Sequence, residues 1–302
     1  MKKLALTIPV AALLTTWAAS TAVAQERVTQ VQVPERSETA NDTTAGDMTI
    51  DPAAIAETQR LGDRSFSPYA NRSFPTRPLW GDQHIHSGWS FDAGFVNALG
   101  PEDALRFARG AQVESTYGVP VQLSRPLDWL VMTDHSDLLG VPPALRAGDP
   151  SLVEADDTLA EWSEVMINGD LGEQTEVAMT AIAAQGNGTL PEAAMDEDFF
   201  MDTWKSYTEI IERYNEPGRF TALIGFEWTP NARGGMNMHR NVVYRGGKDT
   251  ADTRTPFTTF DTVDPEDLWV WMEDFEKETG VKLLAIPHNG NLSNGEMFAP
   301  NT

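Results

Sequence analysis

The sequence predicts a mixed α/β domain whose parallel strands are joined by crossover helices, as in a barrel or an open sheet. Three observations support this prediction. Strand-like apolar runs alternate with helical patterns from residue 78 onward. The 302 residues are 41% hydrophobic, which is enough for a buried core. All five histidines lie beside predicted strands, and none lies in a predicted helix.

The first 24 residues have the three parts of a secretory signal peptide. Two lysines precede an apolar run at residues 4–19, and Ala22 and Ala24 supply the small residues of a cleavage site. The run is short for a membrane span and contains Pro9, so a membrane anchor is the weaker alternative. We therefore expect cleavage after Ala24 and a periplasmic or secreted protein without a membrane span.

Residues 25–76 show no sustained periodicity, so we expect an irregular leader before a domain of residues 77–302. In that domain Pro101 opens a helix that Gly110 closes, and Asp264 opens another that ends before Gly280. An acidic helical insertion is expected at about 140–216. The predicted strands cover residues 79–86, 126–133, 220–226, 241–245 and 281–286.

The composition excludes several classes of function. Acidic residues outnumber basic ones 45 to 22, and a net charge of −23 repels phosphate backbones, so we expect no nucleic-acid partner. The absence of cysteine excludes disulfides, thiolate zinc sites and cysteine nucleophiles. The chain has neither a G-x-G-x-x-G nor a G-K-[ST] motif, so it lacks a glycine-rich phosphate cradle.

An Asp-x-His-x-His motif at residues 82–86 indicates a metal site. His84 and His86 are two residues apart, a spacing that places both imidazoles on one face of an extended strand. His135 directly follows the predicted strand at 126–133. A lone histidine is more often a packed or surface residue than a ligand, but this combination favours a shared site.

Later residues repeat the pattern. Glu227 and His288 each follow a predicted strand, and His239 precedes one. Because the carboxyl ends of parallel strands converge on one rim, we expect these side chains to meet the earlier histidines. Imidazole and carboxylate ligands together suit Zn, Mn or Fe.

Several segments resemble the PHP (polymerase and histidinol phosphatase) superfamily, namely 81–87 (GDQHIHS), 90–92 (SFD) and 133–136 (TDHS). The segments 104–110 (ALRFARG), 122–129 (QLSRPLDW) and 286–289 (IPHN) resemble more closely the exported PHP-like family known as DUF3604. This resemblance runs from about residue 79 to the last residue.

The resemblance implies a distorted (β/α)7 barrel that holds two or three divalent ions. One departure is that the superfamily's late Asp-x-His pair is absent, because no histidine follows His288, and we therefore expect a chain truncated at its C-terminus and a partial barrel. By position, the resemblance assigns three ligand groups: His84, His86 and Glu227; Glu227, His239 and His288; and Asp92 with His135.

The expected chemistry is hydrolysis by metal-activated water, with a small molecule as substrate. Phosphoesters suit it best, because two of their oxygens can bridge two ions. Asp92 and Asp134 flank the ligands and are candidates for orienting an imidazole or moving a proton, whereas Arg240 is a candidate phosphate clamp. The alternatives are a turn or cap aspartate for Asp134 and a solvated loop charge for Arg240.

Two other functions remain open from the sequence. Amidohydrolase barrels use related centres, so amide or lactone hydrolysis is the alternative among enzymes. The absence of the late ligands favours a metal-binding protein without turnover.

Overall fold

The computed structural model of the chain describes residues 78–231 and 236–298. The predicted signal peptide at 1–24 and leader at 25–76 lie outside the described residues. The described part is a mixed α/β structure, as predicted, with eight α-helices and three small sheets.

Nine strands are present in the described ranges. Two strands, β2 and β3, form an antiparallel hairpin that the sequence analysis did not predict. The bounds are β1 Gly81–Asp82, β2 Val113–Glu114, β3 Pro120–Val121, β4 Trp129–Val131, β5 Thr221–Leu223, β6 Gly225–Trp228, β7 Met236–Asn237, β8 Arg240–Tyr244 and β9 Leu283–Pro287.

The strands that position the site lie in two three-stranded sheets. The first has the order β1-β4-β5 and is parallel, as predicted. The second has the order β6-β8-β9 and is antiparallel throughout. Only Ile224 separates β5 from β6, and a parallel bridge between His135 and Glu227 extends the pairing of β4 into the second sheet. The two sheets are therefore joined where β5 continues into β6 and where the segment after β4 pairs with β6.

The prediction that the strands are parallel was wrong for β8, which runs antiparallel to β6 and to β9. The connection from β6 to β8 contains no described helix, and a parallel pairing needs a longer crossover. Within residues 78–231 and 236–298 the strands form no closed barrel, so the expected barrel is not confirmed.

The helices agree well with the predictions, because their ends carry clear capping signals. Helices occupy most of residues 141–214, where a helical insertion was predicted, and Asp264 and Gly280 bound the last helix as expected. None of the helices in the described ranges is both long and apolar enough to cross a membrane. The bounds are α1 Pro101–Ala108, α2 Val141–Ala147, α3 Pro150–Val153, α4 Asp157–Asn168, α5 Leu171–Asn187, α6 Glu197–Tyr214, α7 Lys248–Ala251 and α8 Pro265–Thr279.

Some of the acidic side chains cap the N-termini of helices. The carboxylates of Asp156, Asp170, Asp196 and Asp264 each accept a backbone N–H in the first turn of a helix. These contacts satisfy donors that have no partner within the helix and place negative charge at the positive end of its dipole.

Two apolar cores hold the elements together. The larger one lies between the sheets and helices α1, α6 and α8, and Trp204 is at its centre, stacked on Tyr207 with ring centroids 5.6 Å apart. The smaller one lies within the helical insertion and also takes in Phe91 and Phe95.

Candidate metal centre

Glu227 is at the centre of the site. It lies inside β6, whereas the sequence analysis predicted a position just after a strand that ends at residue 226. Its neighbours Phe226 and Trp228 are fully buried in the larger core. Because side chains alternate along a strand, Glu227 points to the opposite face, where only 1% of its surface is exposed.

Four histidines surround the Glu227 carboxylate in two pairs. The Oε2 atom lies 3.1 Å from His84 Nε2 and 3.0 Å from His86 Nε2. The Oε1 atom lies 2.9 Å from His239 Nδ1 and 3.2 Å from His288 Nε2. Each carboxylate oxygen therefore faces one pair of ring nitrogens.

The first pair is held in a loop that follows the short strand β1. The carboxylate of Asp82 accepts the backbone N–H of His84 over 3.0 Å. The buried Asp134 carboxylate accepts the backbone N–H and the hydroxyl of Ser87, the residue after His86. The loop is therefore tied to the segment that follows β4. The spacing of two residues places both imidazoles at the site although β1 itself ends at Asp82.

The second pair meets because β8 and β9 are antiparallel. His239 precedes β8 and His288 follows β9, and the backbone N–H of His288 donates to the His239 carbonyl over 3.1 Å. The amino end of one antiparallel strand lies beside the carboxyl end of its partner. This explains why a histidine before a strand reaches the same place as a histidine after one.

His135 and Asp92 lie beside the first pair. His135 Nε2 is 3.4 Å from Asp92 Oδ2, and Asp92 Oδ1 is 3.2 Å from His86 Nδ1. His135 Nδ1 makes a short contact with the Thr229 hydroxyl, which lies 3.2 Å from Glu227 Oε1. Asp92 is 48% exposed, so this side of the site is open to solvent.

The ring nitrogens and carboxylate oxygens form three groups with the spacing of metal ligands. They are His84, His86 and Glu227; His86, Asp92 and His135; and Glu227, His239 and His288. The structure thus brings together all seven of the predicted ligands.

Unsatisfied polar atoms support the fit of these groups to cations. Among the described residues, Glu227 Oε2 and His288 Nε2 are buried yet make no hydrogen bond, although each lies about 3 Å from its neighbours across the site. A buried polar atom without a partner is costly. A divalent ion between the groups would supply the missing partner to a nitrogen lone pair and a carboxylate oxygen together.

The electrostatics of the metal-free site show the same need for positive charge. Burial disfavours the charged form of Glu227, but the surrounding histidines outweigh burial and hold the pKa of Glu227 well below its usual range. Burial also opposes the charged form of His86, yet its contacts with Asp92 and Glu227 raise the pKa of His86 to about 10. Contacts with His135 and then with His86 hold the pKa of Asp92 well below its usual range, against the effect of burial.

Two residues predicted to be catalytic lie outside these groups. Asp134 anchors Ser87, which matches the alternative of a turn aspartate. Arg240 is buried, so the alternative of a solvated loop charge was wrong. Its guanidinium packs between the indole rings of Trp228 and Trp269, 5.4 and 5.0 Å from their centroids, on the face of β8 away from Glu227. This position does not support a phosphate clamp.

Sequence reasoning assigned no role to three polar side chains that support the ligands. Thr229 is two residues after Glu227 and therefore lies on the same face of the chain. This spacing could have identified Thr229 from the sequence. Ser90 contacts His86, as described below. Asn241 pairs with Glu227 in the sheet, and its amide donates to the Gln83 carbonyl over 2.7 Å. That contact spans 158 residues of sequence, so only the tertiary structure reveals it.

Comparison with known proteins places the chain in a family. No curated protein and no solved structure matches it. A family model described as protein of unknown function (DUF3604) matches residues 73–302, which includes every ligand of the candidate centre. The chain therefore belongs to the DUF3604 family, as its motifs indicated.

Proposed function

We propose that the chain is an exported, metal-dependent hydrolase of the PHP type that cleaves phosphoesters. The observation that carries the proposal is the position of Glu227, whose two buried oxygens each face a separate pair of histidine nitrogens at 2.9–3.2 Å. A carboxylate can bridge two ions, whereas a neutral imidazole nitrogen binds one.

The ligand types limit the ions. Imidazole and carboxylate donors without thiolate suit Zn, Mn or Fe. His84 and His86 would share one ion with Glu227, and His239 and His288 would share another. When bound, such ions lower the pKa of a water ligand and polarise a substrate oxygen. Asp92 and His135 lie on the solvent-open side, where substrate has access.

The charge of the chain limits where an anionic substrate can bind. A net charge of −23 repels anions in general, so a phosphoester needs local positive charge to bind. Arg240 does not provide it, because its guanidinium faces the other side of the sheet. Two cations beside Glu227 would provide it, and a phosphoryl group offers several oxygens to contact both.

Metal analysis and a substrate panel test the proposal. We expect purified protein to contain at least two divalent ions per chain and to hydrolyse phosphomonoesters or phosphodiesters. Glu227→Gln should abolish this activity. Asp137→Asn is the matched control, because Asp137 is equally buried but is held by Thr259 and Gln185 outside the three ligand groups.

The panel also separates the alternatives. Hydrolysis of amides or lactones without hydrolysis of phosphoesters would indicate the amidohydrolase reaction. Bound metal without turnover on any ester or amide would indicate a metal-binding protein. Protein free of metal after purification and after incubation with Zn²⁺ or Mn²⁺ would contradict both the proposal and these alternatives.

A further inference from the structure

The hydroxyl of Ser90 is fully buried among three partners next to the candidate metal centre. Its Oγ lies 2.9 Å from His86 Nδ1, 2.8 Å from Asp92 Oδ1 and 3.1 Å from the backbone nitrogen of His135. These three contacts use every hydrogen-bonding position of a serine hydroxyl, which has one donor and two acceptor lone pairs.

The direction of each bond follows from the chemistry of the partners. The His135 backbone N–H can only donate, so it takes one lone pair of Ser90. The Asp92 carboxylate can only accept, so it takes the single hydroxyl proton. The remaining lone pair of Ser90 faces His86 Nδ1, which must therefore carry a proton and donate.

A second contact leads to the same assignment. His86 Nδ1 also lies 3.2 Å from Asp92 Oδ1, an oxygen that already accepts the backbone N–H of Ala93 over 2.6 Å. An unprotonated Nδ1 would place its lone pair against this carboxylate oxygen and against the lone pair of Ser90. Both contacts are favourable only when Nδ1 is protonated.

We propose that Ser90 is a positioning residue that fixes the His86 ring with Nδ1 protonated. Of the two ring nitrogens of His86, only Nε2 is then free to bind a divalent ion. The inference rests on the proposed metal centre and deepens it. Nε2 is the atom that lies 3.0 Å from Glu227 Oε2 and 3.0 Å from His84 Nε2. Ser90 thus joins the loop of the first histidine pair to the segment after β4 that contains His135.

This assignment decides between two overlapping ligand groups. His86 belongs to the group with His84 and Glu227 and also to the group with Asp92 and His135. A neutral imidazole with Nδ1 protonated binds one ion, and its Nε2 faces Glu227. An ion between Asp92 and His135 therefore receives only two ligands from the described residues, and we expect it to be held more weakly than the other two.

The experiment uses the full chain labelled with ¹⁵N-histidine and loaded with Zn²⁺. Long-range ¹H–¹⁵N spectra distinguish a protonated nitrogen from a metal-bound one, and five histidines are few enough to assign individually. We expect His86 to show a protonated Nδ1 and a zinc-bound Nε2. Ser90→Ala should raise the Kd for Zn²⁺ about 10- to 100-fold, as loss of a residue that supports a ligand does in other metal sites. Ser90→Thr, which keeps the hydroxyl, should restore most of the affinity.

Ser136→Ala is the matched control, because the Ser136 hydroxyl is also fully buried beside His135 but bonds only to the backbone carbonyls of Glu227 and Phe257. Zinc bound through His86 Nδ1, or unchanged zinc affinity in Ser90→Ala, would overturn this inference and leave the metal centre intact. Failure of the unmodified chain to bind Zn²⁺ at all would overturn the metal centre and this inference with it.

Discussion

Replacement of Glu227 by glutamine tests the centre most directly. The change keeps the shape of the side chain and removes its charge. Two unit charges about 4 Å apart interact by about 4 kcal/mol at the effective dielectric constant suited to protein sites. Loss of this attraction corresponds to roughly a thousandfold increase in Kd. Because the two oxygens of Glu227 face two pairs of histidines, we expect at least one ion per chain to be lost while the fold is kept.

Thermal or chemical unfolding with and without Zn²⁺ measures the effect. An ion present at 1,000 times its Kd stabilises a folded protein by about 4 kcal/mol, whereas at a concentration equal to Kd it contributes only about 0.4 kcal/mol. The wild-type chain should therefore gain about 4 kcal/mol at a zinc concentration where Glu227→Gln gains almost nothing. Equal zinc-dependent stabilisation and equal metal content in the two proteins would remove Glu227 from the ligand set.

Four further predictions concern His86, Asp134 and the N-terminus. The pKa of His86 is about 10 without metal, so an ion must displace a proton from this side chain. Between pH 6.5 and 10 the Kd for Zn²⁺ should therefore fall about tenfold for each unit that the pH rises. A Kd that does not change with pH in calorimetric titration would contradict this. Since the raised pKa of His86 stabilises the metal-free protein fully below pH 6.5, that stability should decline toward pH 10 in urea unfolding. Asp134→Ala removes the acceptor of Ser87 and should cost about 1–3 kcal/mol of stability in the same assay, against little change for the exposed Asp198→Ala. Mass spectrometry of protein exported by a bacterial host should show Gln25 as the first residue, and an intact N-terminus would exclude cleavage after Ala24.

The helix boundaries and the candidate ligands could be predicted from the sequence because both depend on local chemistry. Asp264 and Gly280 bound α8 through a side-chain cap and a left-handed residue, which act over a few positions of the chain. The two-residue spacing of His84 and His86 likewise suggested a shared site, although β1 ends at Asp82 and contacts with Asp134 hold the loop that carries them. Family motifs around these residues extended the prediction to all seven ligands.

The roles of other residues depended on contacts between distant segments. Arg240 follows the ligand His239 directly, and sequence proximity suggested a phosphate clamp. In the structure strand alternation turns its guanidinium to the face of Trp228 and Trp269, where burial lowers its pKa to about 10. The direction of a side chain from a strand follows from which face is packed, and local sequence did not determine this for β8.

The amino-acid sequence by itself determined which groups are available to bind cations: five histidines and a few carboxylates, with no cysteine to compete. Only the tertiary structure decided how they meet. The antiparallel pairing of β8 with β9 brings His239 to His288, and the bridge between His135 and Glu227 joins the two sheets at the site. The hydrogen bonds of Ser90 then select the nitrogen that His86 presents. Residue identity sets the chemistry of each donor, whereas strand direction and buried hydrogen bonds set where its lone pair points.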